Sequence, residues 1–227
     1  MIEFTPGEYY HVYNRGVDGR KIFLSDTDRQ RFYESLYLFN DKNYERKHGD
    51  FLERIVQLST AEAFHEDRER FVSIIAFNLM DNHFHIGLRE ERLEGVSEFM
   101  HRMSTGFTNF FNLLHERSGS LFQGPFQAVH VKSDSQLEHL VRYIHLNELD
   151  KYGIPWREGK VEDWDNCLRL IDKGTFSSHG LYCGRTQTLP VVDVQTATDI
   201  FPLSEEYLSF LRGWIHRSLF ELPILPK

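Results

Sequence analysis

A β-hairpin whose second strand carries two histidines is the sequence feature that most constrains how this chain can fold. Residues 72–80 form a largely apolar run of strand length, which is typical of a buried β-strand. Asp81 and Asn82 then form a two-residue turn into a second strand over 83–88. Because a hairpin makes neighbouring strands antiparallel, the pattern predicts an antiparallel sheet.

Two further strands and three helices complete the predicted core. Residues 9–16 and 126–131 are rich in aromatic and β-branched residues and are predicted as strands. Helices are expected in three places: after a cap at Ser25, over 95–116 with Gly119 as its end, and after a cap at Ser133. The last helix has a stripe of apolar residues, Leu137, Leu140, Val141 and Ile144.

The rest of the chain is less periodic. Residues 41–70 are charged and are interpreted as a helical or irregular excursion, and beyond residue 150 only 204–220 is predicted as a helix. The fold class is therefore α+β, with helices packed on an antiparallel sheet of four to five strands. The predicted division is a domain over 1–155 and a partly helical C-terminal accessory extension over 156–227.

Composition narrows the function classes. The 227 residues are 41% hydrophobic and 26% charged, as in a soluble globular protein, and no apolar run approaches the ~18 residues of a membrane span. The N-terminus lacks the pattern of a signal peptide and there are only two cysteines, so a reducing cytoplasm is expected. The net charge of −8 argues against tight nonspecific binding to duplex DNA, but not against short single strands.

The two histidines of the hairpin are candidate metal ligands. Residues two apart in a strand point to the same face, so His83, His85 and Gly87 share one face of the sheet. Neutral imidazoles are common ligands of divalent metals, and Gly87 is expected to leave room for a ligand. The alternative is a chance pair, because twelve histidines are present.

Tyr143 and Asn147 are four residues apart on the helix that follows Ser133, so they lie on one side of it, one turn from each other. A phenol can act as a nucleophile, and two histidines with one Asn oxygen would suit a hard ion such as Mg²⁺ or Mn²⁺. Alternatively, Tyr143 packs against the sheet and Asn147 is an ordinary residue near a helix end.

Four motifs in order resemble the single-tyrosine HUH transposases, in the branch of the repeat-associated tyrosine transposases. The resemblance covers about residues 7–150. The motifs lie at 10–16 (YHVYNRG), 79–85 (LMDNHFH), 119–124 (GSLFQG) and 142–147 (RYIHLN). A weaker similarity follows at 176–182.

The resemblance implies an HUH endonuclease fold of the ferredoxin-like type. It assigns His83, His85 and Asn147 as metal ligands and Tyr143 as the nucleophile. Such enzymes cleave single-stranded DNA, usually beside a hairpin, leaving a 5′-phosphotyrosine and a free 3′-hydroxyl. Many are dimers, so the resemblance allows a homodimer, and it leaves open whether this chain is a monomer or a dimer. The candidate DNA contacts are Asn14, Arg15, Lys132 and Arg142, with aromatic residues available for base stacking.

The chain departs from the family pattern at four positions. Asp81 and Glu148 stand where the family commonly has Pro, and Pro125 and Gln127 stand where relatives are often basic. The residues assigned to catalysis are present, so activity is expected, whereas DNA affinity and target choice are expected to differ.

Three functions fit the sequence. The leading one is a metal-dependent single-stranded DNA endonuclease and strand transferase. A second is a catalytically idle, transposase-derived regulator that binds DNA, which the acidic charge favours. A third is a metal-dependent phosphodiesterase that uses water, with Tyr143 in a structural role.

Overall fold

The computed structural model of the protein describes residues 2–44 and 68–213. The sheet has four strands in the order β2-β3-β1-β4, and all neighbouring strands are antiparallel. The strands are β1 (Tyr9–Arg15), β2 (Val72–Leu79), β3 (His83–Glu90) and β4 (Gln127–Val131). The predicted α+β class and the predicted hairpin are both confirmed.

Seven α-helices accompany the sheet in the described residues. They are α1 (Asp26–Leu38), α2 (Gly95–Leu114), α3 (Asp134–Leu146), α4 (Trp164–Asp172), α5 (His179–Tyr182), α6 (Val194–Ile200) and α7 (Ser204–Arg212). Short 3₁₀ helices lie at Val17–Gly19, Asn147–Tyr152 and Trp156–Glu158.

Side-chain caps fix where two of the predicted helices begin. Ser25 accepts a hydrogen bond from the Asp28 backbone N–H, and the Asp28 carboxylate accepts in return from the Ser25 N–H, which is a capping box. The Ser133 hydroxyl accepts from the Gln136 N–H at the start of α3. Each cap satisfies N–H groups that have no partner inside the helix.

Helices cover both faces of β3. Phe84 points to one face, where its ring lies 4.9 Å from the ring of Phe32 on α1. Phe32 in turn packs at 5.0 Å against Phe107 of α2. Gly87 points to the opposite face, toward Ile144 of α3. The sheet is therefore the middle layer, and α3 lies on the face that carries His85.

The environment of Gly87 corrects one expectation. A Cβ atom at this position would lie 3.1 Å from the Ile75 side chain and 3.3 Å from the end of Ile144. The space beside the histidines, which we expected a ligand to use, is thus filled by the side chains of Ile75 on β2 and Ile144 on α3.

Helix boundaries differ from the sequence predictions at several points. α2 ends at Leu114, before Gly119, which adopts a positive φ in the following loop. Helices α4, α5 and α6 were not predicted. Of the predicted excursion at 41–70, residues 45–67 lie outside the described part, as do residues 214–220 of the predicted last helix.

The segment after residue 155 packs along the outer edge of β2. Ser177 and Val192 form isolated β-bridges with Asn78 and Ile74. The Phe77 N–H donates to the Ser178 hydroxyl over 2.8 Å. The predicted accessory extension therefore supplies hydrogen-bond partners to an edge strand, while the domain boundary at 155 stays a prediction.

No helix in the part of the chain that the structure describes combines the length and the apolar character needed to cross a membrane.

Candidate active site

Three histidines lie together where β1 and β3 pair. The register sets Tyr13 opposite His85 and His11 opposite Gly87, so His11 and His85 become diagonal neighbours. His11 Nε2 lies 2.9 Å from His85 Nδ1, and the rings of His83 and His85 are 5.0 Å apart. His11 was not singled out from the sequence, because its position beside His85 depends on a pairing across more than 70 residues.

Hydrogen bonds determine which ring nitrogens are available. His83 Nδ1 lies 2.7 Å from the Asn82 side-chain oxygen, which can only accept, so Nδ1 carries the proton and Nε2 keeps a lone pair. His85 uses Nδ1 toward His11, and its Nε2 is buried without a hydrogen-bond partner in the described residues. A buried unpartnered nitrogen is costly unless it serves a ligand.

Burial keeps the imidazoles neutral. It lowers the pKa of His11 to about 3 and that of His83 to about 4. It also holds the pKa of His85 well below its usual value, and the neighbouring His83 and His11 add to the effect. Neutral imidazole is the form that binds metals.

Helix α3 brings Tyr143 to these histidines. Its ring stands edge-on to His85 at 5.5 Å and to His11 at 5.8 Å between centroids. The side chain is only 2% exposed. Burial raises the pKa of the Tyr143 phenol, while the nearby Arg157 guanidinium lowers it. The hydroxyl makes no hydrogen bond of good geometry to the described residues.

Asn147 lies one turn after Tyr143, at the end of α3, and is fully buried. Its amide nitrogen donates to the Tyr143 carbonyl over 2.6 Å, and its side-chain oxygen accepts from Arg157 over 2.6 Å. The oxygen keeps a second lone pair, so it could serve a metal only while it is shared with Arg157.

Two residues just beyond the predicted domain boundary cover Tyr143. The Trp156 ring lies 5.8 Å from the Tyr143 ring, and the Arg157 guanidinium lies 5.9 Å from it. Arg157 is held by an ion pair with Asp150. The sequence carried no signal for this pair, because their approach depends on the 3₁₀ turns that follow α3.

The predicted DNA contacts fall into two groups. Lys132 is exposed and Arg15 is partly exposed. Asn14 is buried and donates to the Gly124 carbonyl. Arg142 is only 3% exposed, stacks 3.8 Å from the ring centroid of Phe210 and donates to the Phe210 carbonyl. In this conformation Arg142 faces α7 rather than solvent.

The donors present fit a divalent metal ion. His83 has an Nε2 lone pair, and His85 has one in the tautomer whose Nδ1–H donates to His11; the second nitrogen of each ring is held by a neighbour, as is usual for metal-binding histidines. With Asn147 as an oxygen donor, the set would be two imidazole nitrogens and one amide oxygen, without a thiolate, a combination that divalent metal ions accept.

Comparisons with known proteins identify a solved structure with a similar fold. No family model and no curated protein matches the sequence. A solved structure of a REP-associated tyrosine transposase bound to a REP hairpin is similar to this chain. The two share 15% sequence identity, with a TM-score of 0.50, over 86% of this chain and 91% of that chain. At this identity the likeness shows a shared fold.

Proposed function

We propose that this chain is a metal-dependent single-stranded DNA endonuclease and strand transferase, with Tyr143 as the nucleophile. The single observation that carries the proposal is the contact between the Tyr143 ring and His85, whose Nε2 is buried without a hydrogen-bond partner among the described residues.

Each residue of the site has a defined part in this reaction. The Tyr143 oxygen attacks a DNA phosphorus atom and loses the phenol proton. The bond from phosphorus to the 3′ oxygen breaks, and that oxygen gains a proton as the free 3′-hydroxyl. The phosphotyrosine ester keeps the energy of the cleaved linkage, so a DNA 3′-hydroxyl can attack it and restore the phosphodiester.

His83, His85 and Asn147 would hold the metal ion, which when bound polarises a phosphate oxygen as a Lewis acid. Arg157, beside the phenol, favours the ionised form of Tyr143. Because Tyr143 is almost fully covered, a phosphodiester can reach it only after neighbouring side chains move, and Arg157 and Trp156 lie next to its ring.

Hairpin-bearing single-stranded DNA is the proposed substrate. The structurally similar transposase was solved with a REP hairpin, and the two proteins share a fold over most of both chains. Tyr143 meets His85 of its own chain, so the proposed reaction needs no second subunit to complete the site, whether or not the chain forms a homodimer.

The test is a covalent adduct. We expect incubation with a panel of hairpin-bearing oligonucleotides and Mg²⁺ or Mn²⁺ to give an SDS-resistant protein–DNA species. It should disappear in Tyr143→Phe and on chelation, because the nucleophile or the Lewis acid is then missing. Tyr13→Phe is the matched control: Tyr13 lies 5.9 Å from the same His85 and should be dispensable for the adduct.

Other results would select another function. An adduct that persists in Tyr143→Phe and is lost in Tyr13→Phe would show that Tyr13, and not Tyr143, is the nucleophile. Multiple-turnover cleavage without a covalent species would indicate a phosphodiesterase that uses water. Metal-independent hairpin binding without any cleavage would indicate a regulator.

A further inference from the structure

A second group of ligand-type side chains lies away from Tyr143, where α4 meets α5. Asp172 is the last residue of α4, His179 begins α5, and Cys183 directly follows α5, one turn after His179. We propose that these three residues bind a zinc ion that fastens α4 to α5. This site is independent of the proposed DNA chemistry.

The distances between the donor atoms suit tetrahedral coordination. His179 Nε2 lies 3.4 Å from Cys183 Sγ and 3.8 Å from Asp172 Oδ1, and all three ligand atoms lie within 4.8 Å of one another. Zinc bonds of about 2.0 Å to nitrogen and about 2.3 Å to sulfur place the two ligands about 3.5 Å apart in a tetrahedron. The nitrogen and sulfur therefore need almost no movement, and the half-exposed Asp172 needs only a small one.

The identity of the ligands selects the metal. A thiolate, an imidazole and a carboxylate form a set that zinc accepts readily and Mg²⁺ does not. Asp172 and Cys183 are each in part accessible to solvent, so a water molecule can complete the fourth position.

A buried series of hydrogen bonds holds the Nδ1 side of the His179 ring. Its Nδ1 lies 2.6 Å from the Tyr207 hydroxyl, which lies 2.8 Å from His145 Nδ1. His145 Nε2 lies 2.7 Å from the Ser178 hydroxyl, and Ser178 also contacts the Phe77 backbone.

The donors and acceptors in this series of hydrogen bonds can be arranged in two opposite directions. When Ser178 donates to the Phe77 carbonyl, His145 donates to Ser178, Tyr207 donates to His145, and His179 Nδ1–H donates to Tyr207. In that direction His179 presents its Nε2 lone pair to Cys183 and Asp172, which is the tautomer that a metal requires. Metal-bound histidines are commonly oriented by such a partner on the second nitrogen.

Arg185 is the one cation beside the three ligands in the described residues that competes for them. It donates to Asp172 Oδ1 over 2.5 Å. A carboxylate has two oxygens and about four lone-pair positions, so Asp172 can keep this contact and still bind zinc. The zinc ion displaces the Cys183 thiol proton to solvent, as metal binding to cysteine requires.

Cobalt substitution tests this site separately from the histidine pair near Tyr143. The chain has only two cysteines, so a thiolate-to-cobalt charge-transfer band reports on cysteine ligation and not on His83 or His85. We expect the full-length protein to show this band with one equivalent of Co²⁺, and Zn²⁺ to displace it. The band should persist in Cys167→Ser, the matched control, and in His83→Ala.

Three variants define the expected losses. Cys183→Ser should abolish the band, and Asp172→Asn should weaken Zn²⁺ affinity at least tenfold while leaving the fold intact, because its side chain is half exposed. Tyr207→Phe should weaken the Zn²⁺ affinity about 10- to 100-fold, because His179 Nδ1 then loses its hydrogen-bond partner. Absence of the band in the wild-type protein, or an unchanged band in Cys183→Ser, would overturn the proposal. Asp172→Asn with unchanged Zn²⁺ affinity would overturn the three-ligand assignment.

Discussion

His11 determines which ring nitrogen of its neighbour His85 is available to a ligand. It occupies Nδ1 of His85 and leaves the opposite nitrogen without a partner in the described residues. The Asn82 side chain does the same for His83. The two candidate ligands are thus oriented from behind by groups that the strand pairing and the hairpin turn bring to them.

We expect His11→Phe to weaken binding of Mn²⁺ about 10- to 100-fold, because the ring keeps its packing but loses the nitrogen that orients His85. Isothermal titration calorimetry measures the change. His130→Phe is the matched control, since His130 lies on the neighbouring strand and bonds to Glu8 at the surface. An unchanged affinity in His11→Phe would remove His11 from the site.

The predicted DNA contacts can be separated by salt dependence. Lys132 is exposed, so Lys132→Ala should weaken binding of single-stranded DNA and reduce the slope of log affinity against log salt by about 0.7. Arg142 stacks on Phe210 in the interior, so Arg142→Ala should lower stability and leave that slope unchanged. Fluorescence anisotropy at several salt concentrations measures both. A reduced slope in Arg142→Ala would show that this side chain reaches the phosphate backbone.

At the scale of elements, the position of Tyr143 depends on how closely α3 approaches β3. Gly87 allows Ile144 to lie against the sheet, and the Asn78 side chain donates to the Ile144 carbonyl over 3.1 Å. We expect Gly87→Val to destabilise the protein by about 1–3 kcal/mol, because the added methyl groups overpack this contact. Urea unfolding followed by circular dichroism measures the loss.

Relief of the same contact provides the control for Gly87→Val. The double variant Gly87→Val/Ile144→Ala should be more stable than the sum of the two single losses, because the shortened side chain makes space for the new one. Strict additivity would show that α3 is not held at this point.

Local chemistry made the central elements predictable from the sequence. The apolar run of β2 is buried along its whole length, and Ser25 and Ser133 cap helices as expected. Beyond residue 155 the helix that begins at Ser204 was predicted, whereas α4, α5 and α6 were not, and α5 and α6 have only four and seven residues. Such short helices show too few turns for a period of 3.6 to be detected.

The candidate site also divides into residues that local sequence patterns predicted and residues that they did not. The period of two in β3 placed His83 and His85 on one face, and helical spacing placed Asn147 one turn after Tyr143. His11 and Arg157 could not be found in this way. Their roles arise from strand register and from the path of the chain after α3, neither of which is a local property of the sequence.

At the scale of the whole molecule, buried neutral histidines link stability to pH. Burial lowers the pKa of His11 to about 3 and of His179 to about 4, and holds that of His145 well below its usual value. The unfolded chain has a histidine pKa of about 6.5, so it binds more protons than the folded chain as pH falls below that value. The stabilisation is complete above about pH 6.5 and is lost toward the folded pKa values.

We therefore expect the free energy of unfolding, without added metal, to fall between about pH 7 and pH 5. Each buried histidine contributes a slope of up to about 1.4 kcal/mol per pH unit in that window. Urea titrations at several pH values measure it. His101→Gln, at an exposed position on α2, should leave the slope unchanged. A flat profile in this range would mean that the imidazoles become protonated without disturbing the fold.

The contact between Ser178 and Phe77 limits which C-terminal segments could replace the native one. The C-terminal segment supplies a hydroxyl to the Phe77 N–H and a backbone carbonyl from Phe176 to the Leu79 N–H. A tail grafted from an unrelated protein would have to reproduce both acceptors or leave two amides of β2 unpaired. The edge strand β2 and the C-terminal segment are thus coupled through backbone hydrogen bonds and not only through the linking chain.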